Sequence, residues 1–210
     1  MNSTHNGYIS RNTIERSILG KELGLVFDCI SSFGAGFLTI EEATPVTKPD
    51  LFKWELNNLL NGMHLPNELK GLYEESNGFV ARWSITSGEC RIQVGGFKIN
   101  SLKSLAPVSK ELVTGLVCHF AYILSHEAGV GFTALVYKDD SPQVWFCNIA
   151  NEWVLLAPSF SSYMRLLFVN LGIRGWQYSY SPTGIDPMTE YWLRLFVVTV
   201  STTPWNFFLE

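Results

Sequence analysis

Charge is scarce in this chain of 210 residues: Asp, Glu, Lys and Arg make up 16% of it, where an ordinary domain carries about 25%. Aromatic residues reach 14%, so much of the surface must be apolar or neutral, the composition of a chain that works against a partner. The net charge of −4 supplies no basic footprint for nucleic acid or anionic lipid, and neither is expected as a partner. Histidine is equally sparse. The four, at positions 5, 64, 119 and 126, leave no surplus for a metal cage. Cys29, Cys90, Cys118 and Cys147 form no CxxC pair, which removes the zinc knuckle and the dithiol redox motif. The start MNSTHNGYIS lacks a basic stretch followed by an apolar run, so reduced thiols and a cytosolic setting are expected. No apolar run is long. LVTGLVCHFAYIL at 112–124 falls short of the roughly 20 residues that cross a bilayer.

What is present reads as two or three helices, a run of antiparallel strands and then two helices, an α+β pattern without the βαβ alternation of a doubly wound sheet. Asn12 lies three residues before Glu15 in a capping-box arrangement, and Ile14, Ile18, Leu23, Phe27 and Ile30 recur at roughly helical spacing, predicting a helix over 13–32. GFLTIEE at 36–42 alternates like a strand. Pro49 opens a second helix with Leu51, Trp54, Leu56 and Leu59 on a broad apolar face, ended by Gly62. In LPNELKGLYEESNGFVARWSI, at 65–85, Pro66 suits a first helical position, Leu65, Leu69, Leu72 and Tyr73 share a face, and Asn77-Gly78 is a left-handed stop. The period then changes to two, so Phe79, Ala81, Trp83 and Ile85 face the core of a strand. The stretch is therefore a joint between helix and strand, with Glu68, Glu74 and Glu75 on its solvated side.

CRIQV at 90–94 and FKIN after Gly95-Gly96 continue an antiparallel meander, with further strands expected at 117–124, 132–138, 144–149 and 152–156. Asp139-Asp140-Ser141-Pro142 is a turn. SFSSYMRLLFVNLG at 159–172 is a helix capped by Ser159 and stopped by Gly172, with Phe160, Tyr163, Leu167 and Leu171 on one face; Pro187 starts a last short helix.

Chemistry-bearing patterns do not assemble. GVGFTA at 129–134 fits a dinucleotide fingerprint letter by letter, but FTALVYK is strand-like, so its glycines are expected to close a hairpin. His126-Glu127 reaches Val130 where the second ligand of HExxH should stand. Cys118 and His119, adjacent on an expected strand, face opposite ways and cannot pair as nucleophile and base. No catalytic, cofactor-binding or metal-binding residue is assigned, and no enzyme is expected. The remaining feature is aromatic density at 171–196. Trp176, Tyr178 and Tyr180 would share a face if extended, and with Arg174, Tyr191 and Trp192 they are the candidates for a partner surface, the alternative being a core layer.

The run LPNELKGLYEESNGF, then RWSI, a second strand and INSLKSL resembles the SMI1/KNR4 fold family. Within it, Tyr163 with Arg165-Leu166-Leu167, Leu171-Gly172, Trp176-Gln177-Tyr178, and Gly184-Ile185 with Pro187 resemble in order the segments of the tubulin polyglutamylase complex subunit 2 family. The resemblance runs from about residue 15 to 200. It implies an SMI1/KNR4-like α+β fold, mostly antiparallel sheet flanked by helices at both ends, as one domain over 12–200 with terminal extensions 1–11 and 201–210. It further implies a non-catalytic scaffold or targeting subunit without a cofactor. Glutamate would be ligated to tubulin tails by a tubulin-tyrosine-ligase-like catalytic subunit that binds ATP and magnesium. The expected partners are that ligase and the other subunits of the complex, with tubulin reached indirectly. The expected setting is the cytoplasm and cytoskeleton: microtubules, centriole or basal body, and cilium. A related-fold adaptor unconnected with tubulin is the alternative.

Overall fold

A computed structural model describes residues 18–33, 36–60, 62–113, 116, 118–139 and 141–197. The expected Asn12–Glu15 cap, the first helical turns before Ile18 and both terminal extensions lie outside the described residues, as does Asp140.

Helix α1, Ile18–Ser32, buries Val26, Cys29 and Ile30, a spacing of three and four that forms a single inward stripe. Strand β1, Gly36–Glu42, follows. Helix α2, Lys48–Asn58, is capped by Thr47, whose Oγ1 accepts the Asp50 N–H at 3.3 Å, with Pro49 in the first turn where its missing N–H costs nothing. Its inward face differs from expectation. Leu51 and Glu55 are buried, while Leu56 is 62% exposed, because the helix carries its inward stripe at spacing four rather than at the expected two to three.

Helix α3, Asn67–Glu75, buries Leu69, Leu72 and Tyr73 as expected, with Pro66 one position before its first residue. The helix ends at Glu75, and the left-handed residue Gly78 (φ 81°) turns the chain into strand β2, Phe79–Ser87. Asn77 Oδ1 accepts the Leu102 N–H at 2.8 Å, which ties this joint to the far end of strand β3, Cys90–Ile99. Phe79, Ala81 and Trp83 of β2 face the core, and an irregularity between Trp83 and Ser84 adds Ser84 to the buried set. Strand β3 runs unbroken through Gly95-Gly96, so the two expected strands are one.

The second sheet is a four-stranded antiparallel meander in chain order: β4, Phe120–Glu127; β5, Gly131–Tyr137; β6, Gln143–Asn148; and β7, Trp153–Ala157. Cys118 and His119 precede β4 rather than lying on it. The glycines of GVGFTA turn β4 into β5; Gly131 holds φ 138°, and a Cβ there would lie 2.2 Å from the Cys147 carbonyl oxygen. The first sheet has the order β1-β2-β3, so β3 is one of its two edges. That edge meets β4 where the Asn100 N–H donates to the Leu124 carbonyl at 2.7 Å.

Helix α4, Phe160–Val169, begins at Ser159, whose Oγ accepts the Ser162 N–H, and buries Phe160, Tyr163, Met164, Leu167 and Phe168. The last helix, α5, Pro187–Trp192, is capped by Asp186 and runs into a wider π-type turn, Leu193–Val197. Side chains from α1 through Phe196 form one continuous apolar cluster, whose largest sealed members are Trp83, Trp176, Tyr73, Tyr137 and Tyr163. Each such ring withdrawn from water contributes on the order of 2–3 kcal/mol.

Candidate functional site

After α4 the chain reverses. Leu171 and Gly172 both take left-handed backbone (φ 52° and 57°), which lays 172–174 along the outer edge of β3. The Gly96 N–H donates to the Gly172 carbonyl at 2.8 Å and the Arg174 N–H to the Val94 carbonyl at 3.0 Å. A Cβ on Gly172 would lie 2.2 Å from the Gly96 oxygen, and one on Gly95 2.7 Å from the Gly172 oxygen, so the contact needs glycine on both sides.

Gly175 (φ 80°) then starts a 3₁₀ turn, Trp176–Tyr180. This corrects the expected extended face. With three residues per turn, Trp176, Tyr178 and Tyr180 point in three different directions. Trp176 is 1% exposed, packed near Tyr163, and cannot reach a partner in the folded chain. Tyr178 is half-buried: its hydroxyl donates to the Val130 carbonyl at 2.8 Å and its ring meets Phe146 edge-on. Tyr180 is 42% exposed, edge-on to Trp176. Trp192 is half-buried and stacked on Phe196, whereas Tyr191 is 55% exposed. Arg174 is exposed and donates from Nη2 to the Ala128 carbonyl at 2.6 Å. The six candidates therefore divide into one core residue, two half-buried packers and three accessible side chains, Arg174, Tyr180 and Tyr191. Met188 and Leu195, also exposed, lie three before and four after Tyr191 and extend an apolar stripe along this end of the chain.

On its other side, the 172–177 segment walls a cleft of about 330 Å³ between β2, β3 and the end of β4. Arg82 and Lys98 enter from the solvated phase of adjacent strands, Arg82 opposite Gly96 and Lys98 two positions further along. Glu127 and Arg174 face each other at 3.4 Å, and Lys98 Nζ donates to the His126 carbonyl at 3.3 Å. Burial pushes the Glu127 carboxyl above its ordinary range, with Arg174 and then Lys98 acting against that rise. Gln177, 8% exposed, also lines the cleft, and its Oε1 accepts no hydrogen bond from the described residues. Sequence reading missed Arg82, Lys98, Glu127 and Gln177 as a group. The available signals were the Gly95-Gly96 pair, which marks a close backbone approach, and Arg82 on the outward phase of a strand.

Elsewhere several polar groups hold the fold. Glu55 accepts the Leu65 N–H at 2.7 Å and the Lys70 ammonium at 2.8 Å. Ser125, Thr133 and the buried Tyr163 form a hydroxyl chain, Ser125 and Thr133 2.9 Å apart. All four cysteines are free, and burial pushes the Cys147 thiol up to about 11, away from thiolate chemistry. Among the described residues, no group of three or more His, Cys, Asp or Glu is arranged to hold a metal ion, and no helix is long and apolar enough to cross a membrane.

Compared with known proteins, the chain is similar to three mammalian proteins, each named tubulin polyglutamylase complex subunit 2. Those of Rattus norvegicus and Mus musculus are each 26% identical over 83% of this chain and 69% of their own length. That of Homo sapiens is 28% identical over 83% of this chain and 68% of its own length. No family model and no solved structure matches the chain. The resemblance to this subunit seen in the sequence motifs thus extends over most of the chain, whereas the wider SMI1/KNR4 label rests on the motifs alone.

Proposed function

We propose that this chain is a non-catalytic subunit of a tubulin polyglutamylase complex, a scaffold that helps a ligase partner add glutamate to tubulin tails. The observation that carries the reading is the similarity to the three mammalian subunits across four-fifths of the chain. Its surface supports it: in a chain with few charges, Phe52 and Leu56 project from α2 with Leu60 exposed just past its end, and Met188, Tyr191 and Leu195 are exposed toward the other end of the chain. Two such surfaces fit a subunit that other chains cover. The ligase supplies the nucleotide and metal chemistry, and this chain supplies contact surface. Its setting is then the microtubule cytoskeleton, including basal bodies and cilia.

Native purification of the tagged chain from its own cells, with the retained proteins identified by mass spectrometry, tests the proposal. A tubulin-tyrosine-ligase-like subunit is expected in stable ratio. A reproducible set of partners containing no such ligase would overturn it.

A further inference from the structure

The cleft beside the 172–177 segment gathers groups suited to recognition. Three cations, Arg82, Lys98 and Arg174, stand around one carboxylate, Glu127, in a chain whose net charge is −4, so positive charge is concentrated where the chain as a whole is acidic. The heads of Lys98 and Arg174 make contacts to main-chain oxygens and, for Arg174, to Glu127 that a ligand carboxylate could replace with stronger charge-assisted bonds. The Gln177 amide is nine-tenths buried, lines the same cleft, and among the described residues its oxygen has no donor, a cost normally offset by a partner. Backbone is available too. Gly96 and Asn100 both direct their N–H away from β2, to Gly172 and Leu124, and by strand alternation Lys98 between them points its main chain the same way, into the gap beside β4.

A bare anion would need only the cations. An amide wall and a short open strand edge call for a peptide main chain, and the spread of the cations calls for more than one carboxylate. We infer that this cleft binds a short, extended acidic peptide segment, its carboxylates held by Arg82, Lys98 and Arg174 and its main chain met by the Gln177 amide and the Lys98 edge. At about 330 Å³ the cleft is near the lower limit of ligand sites, which suits a few residues rather than a folded domain. Glu127 is the internal competitor: it occupies Arg174 until a ligand carboxylate takes its place. The inference stands apart from the complex assignment, since it concerns only what this chain binds by itself.

The test is fluorescence anisotropy of labelled hexaglutamate titrated with the purified full chain, with labelled hexalysine as control. Hexaglutamate should bind saturably and more weakly as salt rises, and hexalysine should not bind. Lys98→Gln and Arg174→Gln, at exposed positions that leave the fold standing, should each weaken binding about tenfold, and Glu127→Gln should tighten it about threefold. The tightening separates direct competition from general destabilisation. Three results would overturn the inference: no hexaglutamate binding at low salt, affinity unchanged in both cation variants, or displacement by inorganic phosphate as effective as by unlabelled hexaglutamate. Because no partner protein is present, its outcome is independent of whether a ligase co-purifies.

Discussion

The indole N–H of Trp83 donates to the carbonyl of Leu171 at 2.8 Å, joining a strand of the first sheet to the reversal after α4 across 88 positions of sequence. This bond closes the same region in which Gly172 and Gly95-Gly96 lie backbone to backbone. Gly172→Ala would combine a positive φ with a Cβ 2.2 Å from the Gly96 oxygen and should lower stability by about 2–3 kcal/mol in denaturant titration. Wild-type stability in that variant would show that the segment can lift from β3.

Gly78→Val should also destabilise, by at least about 1–2 kcal/mol, since its φ is 81° and a Cβ would lie 2.6 Å from the Ile99 oxygen. Glu74→Ala, which removes only an exposed 3.8 Å pairing with Lys48, should change stability by less than about 0.5 kcal/mol. Equal melting temperatures for Gly78→Val and wild type would remove the joint from the account.

Glu55 supplies a pH signature. Burial alone would raise its carboxyl, but the Lys70 ammonium and the Leu65 N–H outweigh that and hold it below the ordinary glutamate range. Its folded value is therefore lower than its unfolded one, so its contribution is complete above the ordinary value of about 4.3 and is lost as pH falls through the folded value. Glu55→Ala should cost about 2–3 kcal/mol at neutral pH by leaving the Leu65 N–H and Lys70 without their partner. The gap between the variant's denaturation midpoint and the wild type's should shrink on acidification; a constant gap from pH 7 to below 4 would contradict the assignment.

The aromatic cluster separates into fold and surface. Trp176→Ala should cost about 3–5 kcal/mol of stability, since its ring is 1% exposed. Tyr180→Ala and Tyr191→Ala should leave the melting temperature close to wild type, and at least one should weaken pull-down of complex partners about thirtyfold, the equivalent of about 2 kcal/mol. Partner retention in both tyrosine variants would move the interface elsewhere, with Phe52 and Leu56 of α2 and the neighbouring Leu60 the next surface to test.

Local rules carried most of the architecture. The strand alternation from Phe79 to Trp83, the Ser159 cap and the GVGFTA hairpin were legible because each depends on neighbours a few residues apart. Glu55 was not legible as a buried residue, since its partners Leu65 and Lys70 lie beyond the helix that carries it. Trp176, Tyr178 and Tyr180 share a face only on extended backbone; after the left-handed Gly175 they form a 3₁₀ turn instead. The cleft was invisible for the same kind of reason. Arg82, Lys98, Glu127 and Gln177 come from separate strands and a turn, and only tertiary packing assembles them.

The most direct test of the central claim is glutamylation of purified tubulin, read by mass spectrometry of its tails, using the complex isolated with this chain, the same complex depleted of it, and the chain alone. The account predicts glutamate addition by the complete complex, a loss on depletion that is restored by adding the chain back, and none by the chain alone. Full activity after depletion, or ligation by the chain with no ligase present, would contradict it.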